Sequence, residues 1–212
     1  MSKYYPAQIN INNKKCVVVG GGNVAWRKVC SLKNAGAKVV VVSPVFCPEM
    51  EREEGIELVK QKYDEYYLNG AVIVIASTDD EKVNEKVYHD AVRKGMLVNV
   101  VDKPDYCSFI VPSSIVRGDL CITISTGGSS PAFVRNIRLH LEKQFGNEYS
   151  EFTELLSEMR RKVLGEISDE KIRRGILQRI AEWDMFDFFK EKGASETRNK
   201  MLNIISGKHI CK

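Results

Sequence analysis

The feature that most constrains the fold is a run of three glycines directly behind a short β-branched segment, Lys15–Val19. Residues 20–25 fit the pattern G-x-G-x-x-G/A, with Ala25 in the last place. In this pattern Gly20 permits a tight turn, Gly22 lets a pyrophosphate approach the backbone, and a small last residue lets a helix pack closely on the strand. The following helix N-terminus offers free N–H groups to a phosphate. A glycine-rich turn without a ligand is the alternative, and the predicted strand and helix on either side weigh against it.

Apolar strands and amphipathic helices alternate through the first half of the chain. The predicted strands lie at residues 15–19, 39–42, 56–59, 71–76 and 96–101, and the predicted helices at 24–34 and 79–94. Strands that are apolar throughout indicate a parallel sheet with helices on both faces. The pattern therefore predicts an α/β fold with a Rossmann-type parallel sheet over residues 1–112.

The pattern changes in the second half of the chain. Short strands are predicted at residues 109–112 and 120–125, and helices at 131–145 and 149–164, with shorter helical segments to the end. We therefore predict a small strand–helix connector over residues 113–148 and a helical C-terminal tail over residues 149–212.

Composition excludes several functional classes. Hydrophobic residues make up 43% and charged residues 28% of the 212, which argues against disorder. The longest apolar runs span about six residues, whereas a membrane crossing needs roughly 20, so no membrane span is expected. A net charge of +4, without a basic patch interleaved with aromatic residues, is too weak for a dedicated nucleic-acid binder. The N-terminus lacks the apolar core of a signal peptide, so a cytoplasmic protein is expected.

The cysteines and histidines do not form a metal-binding pattern. No CxxC pair and no HxxxH spacing occurs among six cysteines and three histidines. No metal site is therefore predicted, and the cysteines are expected to be reduced thiols.

The segment behind the second predicted strand leaves the cofactor choice open. A carboxylate there would bind a ribose 2′-hydroxyl, and an arginine would favour a 2′-phosphate. The positions hold Ser43, Pro44 and Val45 instead, so the residues alone do not decide between NAD and NADP. Ser43 can also be no more than a strand terminator.

Asp102 directly follows the fifth predicted strand. Ligands of open α/β sheets bind at this edge, so a carboxylate there can face a nicotinamide and take a proton while a hydride leaves. The alternative is a simple turn, because residues 102–105 have good turn chemistry. Both interpretations stay open at this point.

A serine- and glycine-rich loop, residues 125–130, separates a predicted strand from a long helix. Ser130 and Pro131 suit the start of that helix, and the loop can grip a carboxylate through backbone N–H groups. Helix capping alone is the alternative. Arg135 and Arg138 share one face of the helix, where they can meet acidic groups or remain solvated.

Four stretches, in order along the chain, resemble one known family. They are residues 20–28 (GGGNVAWRK), 76–80 (ASTDD), 99–113 with NVVD and CSFIVPS, and 117–132 (RGDLCITISTGGSSPA). These stretches resemble the precorrin-2 dehydrogenases of sirohaem synthesis, a family that includes sirohydrochlorin ferrochelatases. The resemblance is close over about residues 6–145 and extends to the tail only in general character.

The resemblance implies an NAD-dependent homodimer that oxidises precorrin-2 to sirohydrochlorin, with Asp102 as the catalytic aspartate. Some members also insert ferrous iron, which we keep as a secondary hypothesis because no dedicated metal ligands are visible. The candidate cofactor contacts are Gly20, Gly22, Asn23, Val24, Ser43, Pro44, Val45 and Thr78. The candidate contacts of the anionic tetrapyrrole are Ser125, Thr126, Gly127, Gly128, Ser129 and Arg135. The competing hypothesis from another class is a non-catalytic NAD(H)-binding regulatory module.

Overall fold

The computed structural model describes residues 4–207 of the chain. The chain forms two compact units, the first ending at Val111 and the second beginning at Pro112. This division lies one residue from the boundary predicted at 112/113. The further division of the second unit at 148/149 stays a prediction.

The first unit contains a five-stranded sheet. Its strands are β1 Lys15–Val19, β2 Lys38–Val42, β3 Glu57–Val59, β4 Ala71–Ala76 and β5 Leu97–Val100. They pair in the order β3-β2-β1-β4-β5, and every pair is parallel. The predicted Rossmann-type sheet is therefore confirmed. The strand order reverses between β1 and β4, and ligands of such sheets bind outside the carboxyl ends at this point.

Three α-helices and two 3₁₀ helices accompany the sheet. The α-helices are α1 Asn23–Asn34, α2 Pro48–Glu51 and α3 Glu81–Arg93, and the 3₁₀ helices are Glu65–Leu68 and Pro104–Tyr106. The sequence did not predict α2 or the 3₁₀ helices. The start predicted for α3 at residue 79 is wrong by two residues. Asp80 is the N-cap, because its carboxylate accepts hydrogen bonds from the backbone N–H groups of Lys82 at 2.9 Å and Val83 at 3.3 Å.

Each face of the sheet has its own hydrophobic core. Successive side chains of a strand point to opposite faces. In β1, Cys16 and Val18 therefore belong to the core that includes Val29 of α1, whereas Val17 and Val19 belong to the core that includes α3. Burial on both faces explains why the strands read as unbroken apolar runs.

The second unit begins with a β-hairpin. Its strands, β6 Ser113–Arg117 and β7 Leu120–Ile124, are antiparallel, with Arg117 opposite Leu120. The strand predicted at residues 109–112 is wrong, since β6 starts just after it. A two-residue turn whose first residue, Gly118, has φ of 57° fixes the register. The strand predicted at 120–125 is confirmed as β7.

Four helices follow the hairpin in the part of the second unit that the structure describes. They are α4 Pro131–Gln144, α5 Glu148–Glu166, α6 Glu170–Ile180 and α7 Trp183–Ile205. The shorter helical segments predicted after residue 164 are confirmed, because α6 spans 11 residues and a kink divides the 23 residues of α7 into two shorter parts. A kink interrupts α7 at Gly193, whose φ of 81° and ψ of 177° are not helical. Among the described residues, no helix combines the length and hydropathy that a membrane crossing requires.

The core of the second unit lies between α5, α6 and α7. Met159 of α5, Ile180 of α6 and Met185 of α7 are at most 1% exposed. By contrast, none of the 14 residues of α4, all within the described part of the chain, is buried. Phe133 and Leu139 of this helix are 59% and 41% exposed.

Candidate functional site

A cleft of about 1090 Å³ lies at the carboxyl edge of the parallel sheet. Its lining comprises residues 19–24, 42–48, 62–63, 77–80, 83 and 101–102. The loops behind all five strands therefore contribute to the cleft, together with the last residues of β1 and β2. The cleft brings together every candidate cofactor contact predicted from the sequence, together with Asp102, and all of these residues belong to the first unit.

The three glycines of the turn have different surroundings. A Cβ on Gly20, whose φ is 127°, would lie 2.4 Å from the Ser77 carbonyl oxygen. A Cβ on Gly21 would lie 1.9 Å from the Val45 carbonyl oxygen, whereas one on Gly22 would meet nothing within 4 Å. Gly20 and Gly21 are thus required by neighbouring backbone, and Gly22 leaves open space in which a pyrophosphate can approach the chain.

The need for glycine at position 21 was missed in the sequence, because this position is variable in the G-x-G pattern. The third consecutive glycine was the available signal. The backbone carbonyl of Gly21 accepts a hydrogen bond from the Cys47 N–H at 2.7 Å, so the turn and the loop behind β2 are tied together.

Helix α1 points an uncapped N-terminus at the cleft. Gly22 is the N-cap and has no side chain to satisfy the first N–H groups, and the first turn of α1 contains no acidic residue. Asn23 and Val24 are exposed and line the cleft. Free N–H groups and the positive end of the helix dipole suit a phosphate group.

The loop behind β2 is folded by its own serine. The Ser43 hydroxyl donates a hydrogen bond to the Val45 carbonyl oxygen at 2.7 Å, and the residue is only 8% exposed. Its side chain is therefore engaged within the loop, and Pro44 and the 72% exposed Val45 present the outer surface. No carboxylate or guanidinium occurs among residues 43–48 that line the cleft.

The loop behind β4 is held by a buried amide. Asn84 of α3 accepts hydrogen bonds from the Thr78 N–H at 3.1 Å and hydroxyl at 2.8 Å, and its amide donates to the Thr78 carbonyl at 2.8 Å. The hydroxyl of Thr78 is thus already hydrogen-bonded within the protein. Asn84 was missed in the sequence, because nothing in the local pattern shows where a helical asparagine points.

Asp102 lies at the cleft in a left-handed backbone conformation, with φ of 59°. Aspartate tolerates this region better than most residues, although it still carries strain. The Lys103 N–H donates to the Val100 carbonyl at 3.3 Å, so Asp102 lies in a turn over residues 100–103 and not in the one predicted at 102–105. This turn places an exposed carboxylate at the sheet edge. The role of that carboxylate as a base stays a prediction.

The half-buried Lys28 lies near this carboxylate. Burial lowers the pKa of Lys28 in α1, nearby Arg27 lowers it further, and the charge of Asp102 works in the opposite direction. The charge of the Asp102 carboxylate therefore acts on the Lys28 ammonium group at the edge of the cleft.

The loop behind β5 is anchored to its own strand. The Asn99 amide donates to the Phe109 carbonyl at 3.0 Å, and the Cys107 thiol donates to the Val100 carbonyl at 3.2 Å. These contacts hold the segment that carries Asp102. No disulfide joins the five cysteines within residues 4–207, and Cys211 lies outside this range.

The candidate tetrapyrrole contacts belong to the second unit. Ser130 caps α4 by accepting from the Phe133 N–H at 3.4 Å, and the Ser130 N–H donates to the Thr126 hydroxyl at 3.0 Å. The predicted helix cap is therefore confirmed. A carboxylate grip by the loop stays a prediction. Arg135 is exposed, whereas Arg138 pairs with Glu142 at 2.6 Å.

Within the described residues there is no group of three or more histidine, cysteine, aspartate or glutamate side chains that could hold a metal ion.

Comparison with known proteins identifies the first unit. Residues 7–113 match the family model of an NAD(P)-binding domain. The chain belongs to this NAD(P)-binding family. Residues 117–144 match a second family model, described as the central part of a sirohaem biosynthesis protein.

The curated relatives are longer than this member of the family. A siroheme synthase from Thioalkalivibrio sulfidiphilus is 37% identical over 205 residues, which cover 94% of this chain and 42% of the relative. A siroheme synthase from Nitrosococcus oceani is 35% identical over 183 residues, which cover 85% and 39%. The chain thus spans about two fifths of the length of these relatives. The similarity to proteins of sirohaem synthesis, indicated by the motifs, is confirmed.

A solved structure described as "SirC, precorrin-2 dehydrogenase" shares the fold. Its TM-score is 0.78 at 23% identity, with 96% of this chain and 100% of that chain covered. The predicted fold class, an α/β unit followed by a small strand–helix region and helices, is therefore found in a known protein.

Proposed function

We propose that this chain is an NAD-dependent dehydrogenase that oxidises precorrin-2 to sirohydrochlorin. The observation that carries the proposal is the placement of the Asp102 carboxylate in the same cleft as the open Gly22 position. The siroheme synthases that it resembles support the choice of substrate.

The residues of the cleft fit a dinucleotide. The space above Gly22 and the free N–H groups of α1 suit the pyrophosphate, and the Ser43-Pro44-Val45 loop offers a surface to one ribose. NAD⁺, when bound, supplies the acceptor of the hydride. Binding and orientation of the reacting ring are the tasks of the protein.

Asp102 takes the proton. Oxidation of precorrin-2 to sirohydrochlorin removes two electrons and two protons, as one hydride and one proton, and yields NADH and H⁺. The exposed carboxylate at the end of β5 is the base that can accept that proton. The position of the Asp102 carboxylate is set by the backbone turn at residues 100–103 and by the anchored loop behind it.

The loop at residues 125–129 and Arg135 bind substrate carboxylates in this proposal. Precorrin-2 carries eight carboxylates, so backbone N–H groups and an exposed guanidinium are suitable partners. The support is that this loop precedes the N-terminus of α4 and that Arg135 is exposed on that helix.

We further propose that two copies of the chain form a homodimer through the hairpin and α4. Val116 of β6 is 57% exposed and Phe133 of α4 is 59% exposed, and no residue of α4 is buried within the described part of one copy. Large exposed apolar side chains on one helix mark an interaction surface. Replacement of Phe133 by Glu is expected to shift the mass measured by analytical ultracentrifugation towards one copy, and an unchanged mass would contradict the proposed interface.

The decisive experiment is an anaerobic assay of precorrin-2 oxidation by absorption spectroscopy. Asp102→Asn is the variant of choice, because asparagine also tolerates positive φ and keeps the shape of the side chain. We expect kcat to fall by about 10²–10⁴, the usual contribution of a general base, with little change in the Kd for NAD⁺. Asp105→Asn, an exposed aspartate outside the lining of the cleft, is the matched control.

The outcomes separate the competing functions. Full activity of Asp102→Asn would remove this residue from the mechanism. Binding of NAD⁺ without any oxidation of precorrin-2 by the unaltered protein would favour the regulatory module. Iron insertion stays a prediction, tested with sirohydrochlorin and Fe²⁺ in the absence of NAD⁺; a rate equal to the enzyme-free control would reject it. We also propose that the reaction takes place in the cytoplasm, the location expected from the sequence.

A further inference from the structure

Tyr63 forms part of the cleft wall at a position that no motif marks. It follows β3 in the chain and lines the cleft together with the loop behind β2 and Val83 of α3. Its ring is half-buried and packs against the core on the α3 face of the sheet. A large aromatic ring is therefore part of the cofactor cleft itself.

The order of the sheet indicates which half of the cofactor meets this ring. The glycine turn behind β1 is central and takes the pyrophosphate. Asp102 behind β5 marks the side of the reacting nicotinamide, so the adenosine lies on the opposite side, over the ends of β2 and β3. Tyr63 is on that side.

A hydrogen bond to a buried carboxylate fixes Tyr63. Its hydroxyl donates to the Asp90 carboxylate at 3.0 Å, and Asp90 is only 4% exposed. The second carboxylate oxygen accepts from Arg93 at 2.7 Å, and Arg93 also pairs with Glu65. Burial and then the hydrogen bond to Asp90 raise the pKa of Tyr63, so the hydroxyl remains a donor. Lys86 lies 5.4 Å from the ring centroid.

The geometry points to Tyr63 as the residue that contacts the adenosine half of the cofactor, with Asp90 as the positioning residue that holds its ring. An aromatic ring with a fixed orientation offers an apolar and stacking surface to a purine without a loss of side-chain freedom on binding. The buried carboxylate thus acts on the cofactor through the tyrosine. This inference rests on the proposed NAD-binding cleft.

The test measures the binding of three probes by calorimetry: NAD⁺, AMP and nicotinamide mononucleotide. In Tyr63→Leu we expect the Kd of NAD⁺ and of AMP to rise about tenfold each, the lower part of the range for base–aromatic stacking, with nicotinamide mononucleotide unchanged. Tyr63→Phe keeps the ring and loses its anchor, so a smaller rise of about twofold to threefold is expected. Tyr66→Leu is the matched control, because Tyr66 is 71% exposed and lies outside the lining of the cleft.

Unchanged AMP binding in a folded Tyr63→Leu variant would overturn the inference, and so would an equal loss for nicotinamide mononucleotide. If Tyr63→Leu does not fold, the same question is answered by magnetisation transfer to the AMP purine protons in a deuterated sample whose tyrosine rings alone carry aromatic protons, with Tyr63→Phe as reference. Loss of the transfer in Tyr63→Phe supports the contact, and an identical transfer in both overturns it. Because these probes need no precorrin-2, failure of the proposed reaction and failure of this assignment are distinguishable.

Discussion

The sharpest prediction for the cleft concerns Gly21. The G-x-G pattern allows any residue at this position, whereas the neighbouring backbone leaves no room for a side chain. A Cβ at this position would lie 1.9 Å from the Val45 carbonyl oxygen, and real contacts of this kind are essentially never below 3.0 Å. In Gly21→Ala the loop behind β2 must therefore retreat by more than about 1 Å, the difference between these two distances. That movement strains the 2.7 Å hydrogen bond from Cys47 to Gly21 and displaces Ser43, whose hydroxyl would lie 2.8 Å from the new atom.

The expected cost follows from overpacking and from one weakened backbone hydrogen bond. Together these destabilise the first unit by about 2–3 kcal/mol. For a domain of roughly 100 residues, such a loss lowers the Tm by roughly 10–20 °C. The measurement is thermal unfolding followed by circular dichroism, together with the free energy of unfolding from a urea titration.

Gly22→Ala is the matched control, because a Cβ there meets nothing within 4 Å and φ of −86° suits alanine. We expect its Tm to lie within a few degrees of the unaltered protein, since neighbouring atoms do not have to move. Its Kd for NAD⁺ should rise at least about tenfold, because the added methyl group occupies the space above the turn. A normal Tm for Gly21→Ala, or equal destabilisation by both substitutions, would refute the reasoning.

Three further predictions concern single side chains. Asp80→Ala removes the N-cap of α3, so the free energy of unfolding of the first unit should fall by about 1 kcal/mol in a urea titration. Asp80→Asn should keep most of this stabilisation. Met159→Ala creates a cavity in the core of the second unit and should lower the free energy of unfolding of that unit by about 2–5 kcal/mol. The Kd for NAD⁺ should stay unchanged, and a higher Kd would contradict the prediction. Burial raises the pKa of Cys16 from 9.0 to about 11, so the folded state favours the neutral thiol. The stability this contributes is fully present below pH 9 and is lost as the pH rises to about 11, and a Cys16→Ala variant should lack this part of the alkaline loss.

Much of the first unit could be predicted because its signals are local. Residues 16–19 and 71–76 are apolar throughout, which is typical of strands buried on both faces of a sheet. The glycine turn and Asp102 could be placed at the carboxyl edge for the same reason, since each directly follows a strand.

The hairpin shows where local signals fail. Residues 109–112 are more apolar than the start of β6, which has two serines, yet β6 is the strand. Its position depends on the turn at Gly118 and on pairing with β7, which no hydrophobic pattern of one segment reveals.

The supporting residues of the cleft depend on contacts between distant parts of the chain. Tyr63 meets Asp90 across 27 positions, and Gly21 meets Val45 across the loop behind β2. Such contacts follow from the folded sheet. The sequence around each residue, a tyrosine in a loop and a glycine in a variable place, is ordinary.

Because the chain divides into two units with separate cores, a cofactor that binds only one of them can distinguish their two unfolding transitions. Every residue that lines the cleft lies between positions 19 and 102, within the first unit. A ligand that binds only the folded form of one unit stabilises it by about 2.7 kcal/mol at a concentration 100 times its Kd. Where the two units melt separately, NAD⁺ should therefore raise one melting temperature and leave the other in place, which assigns each transition to its half of the chain.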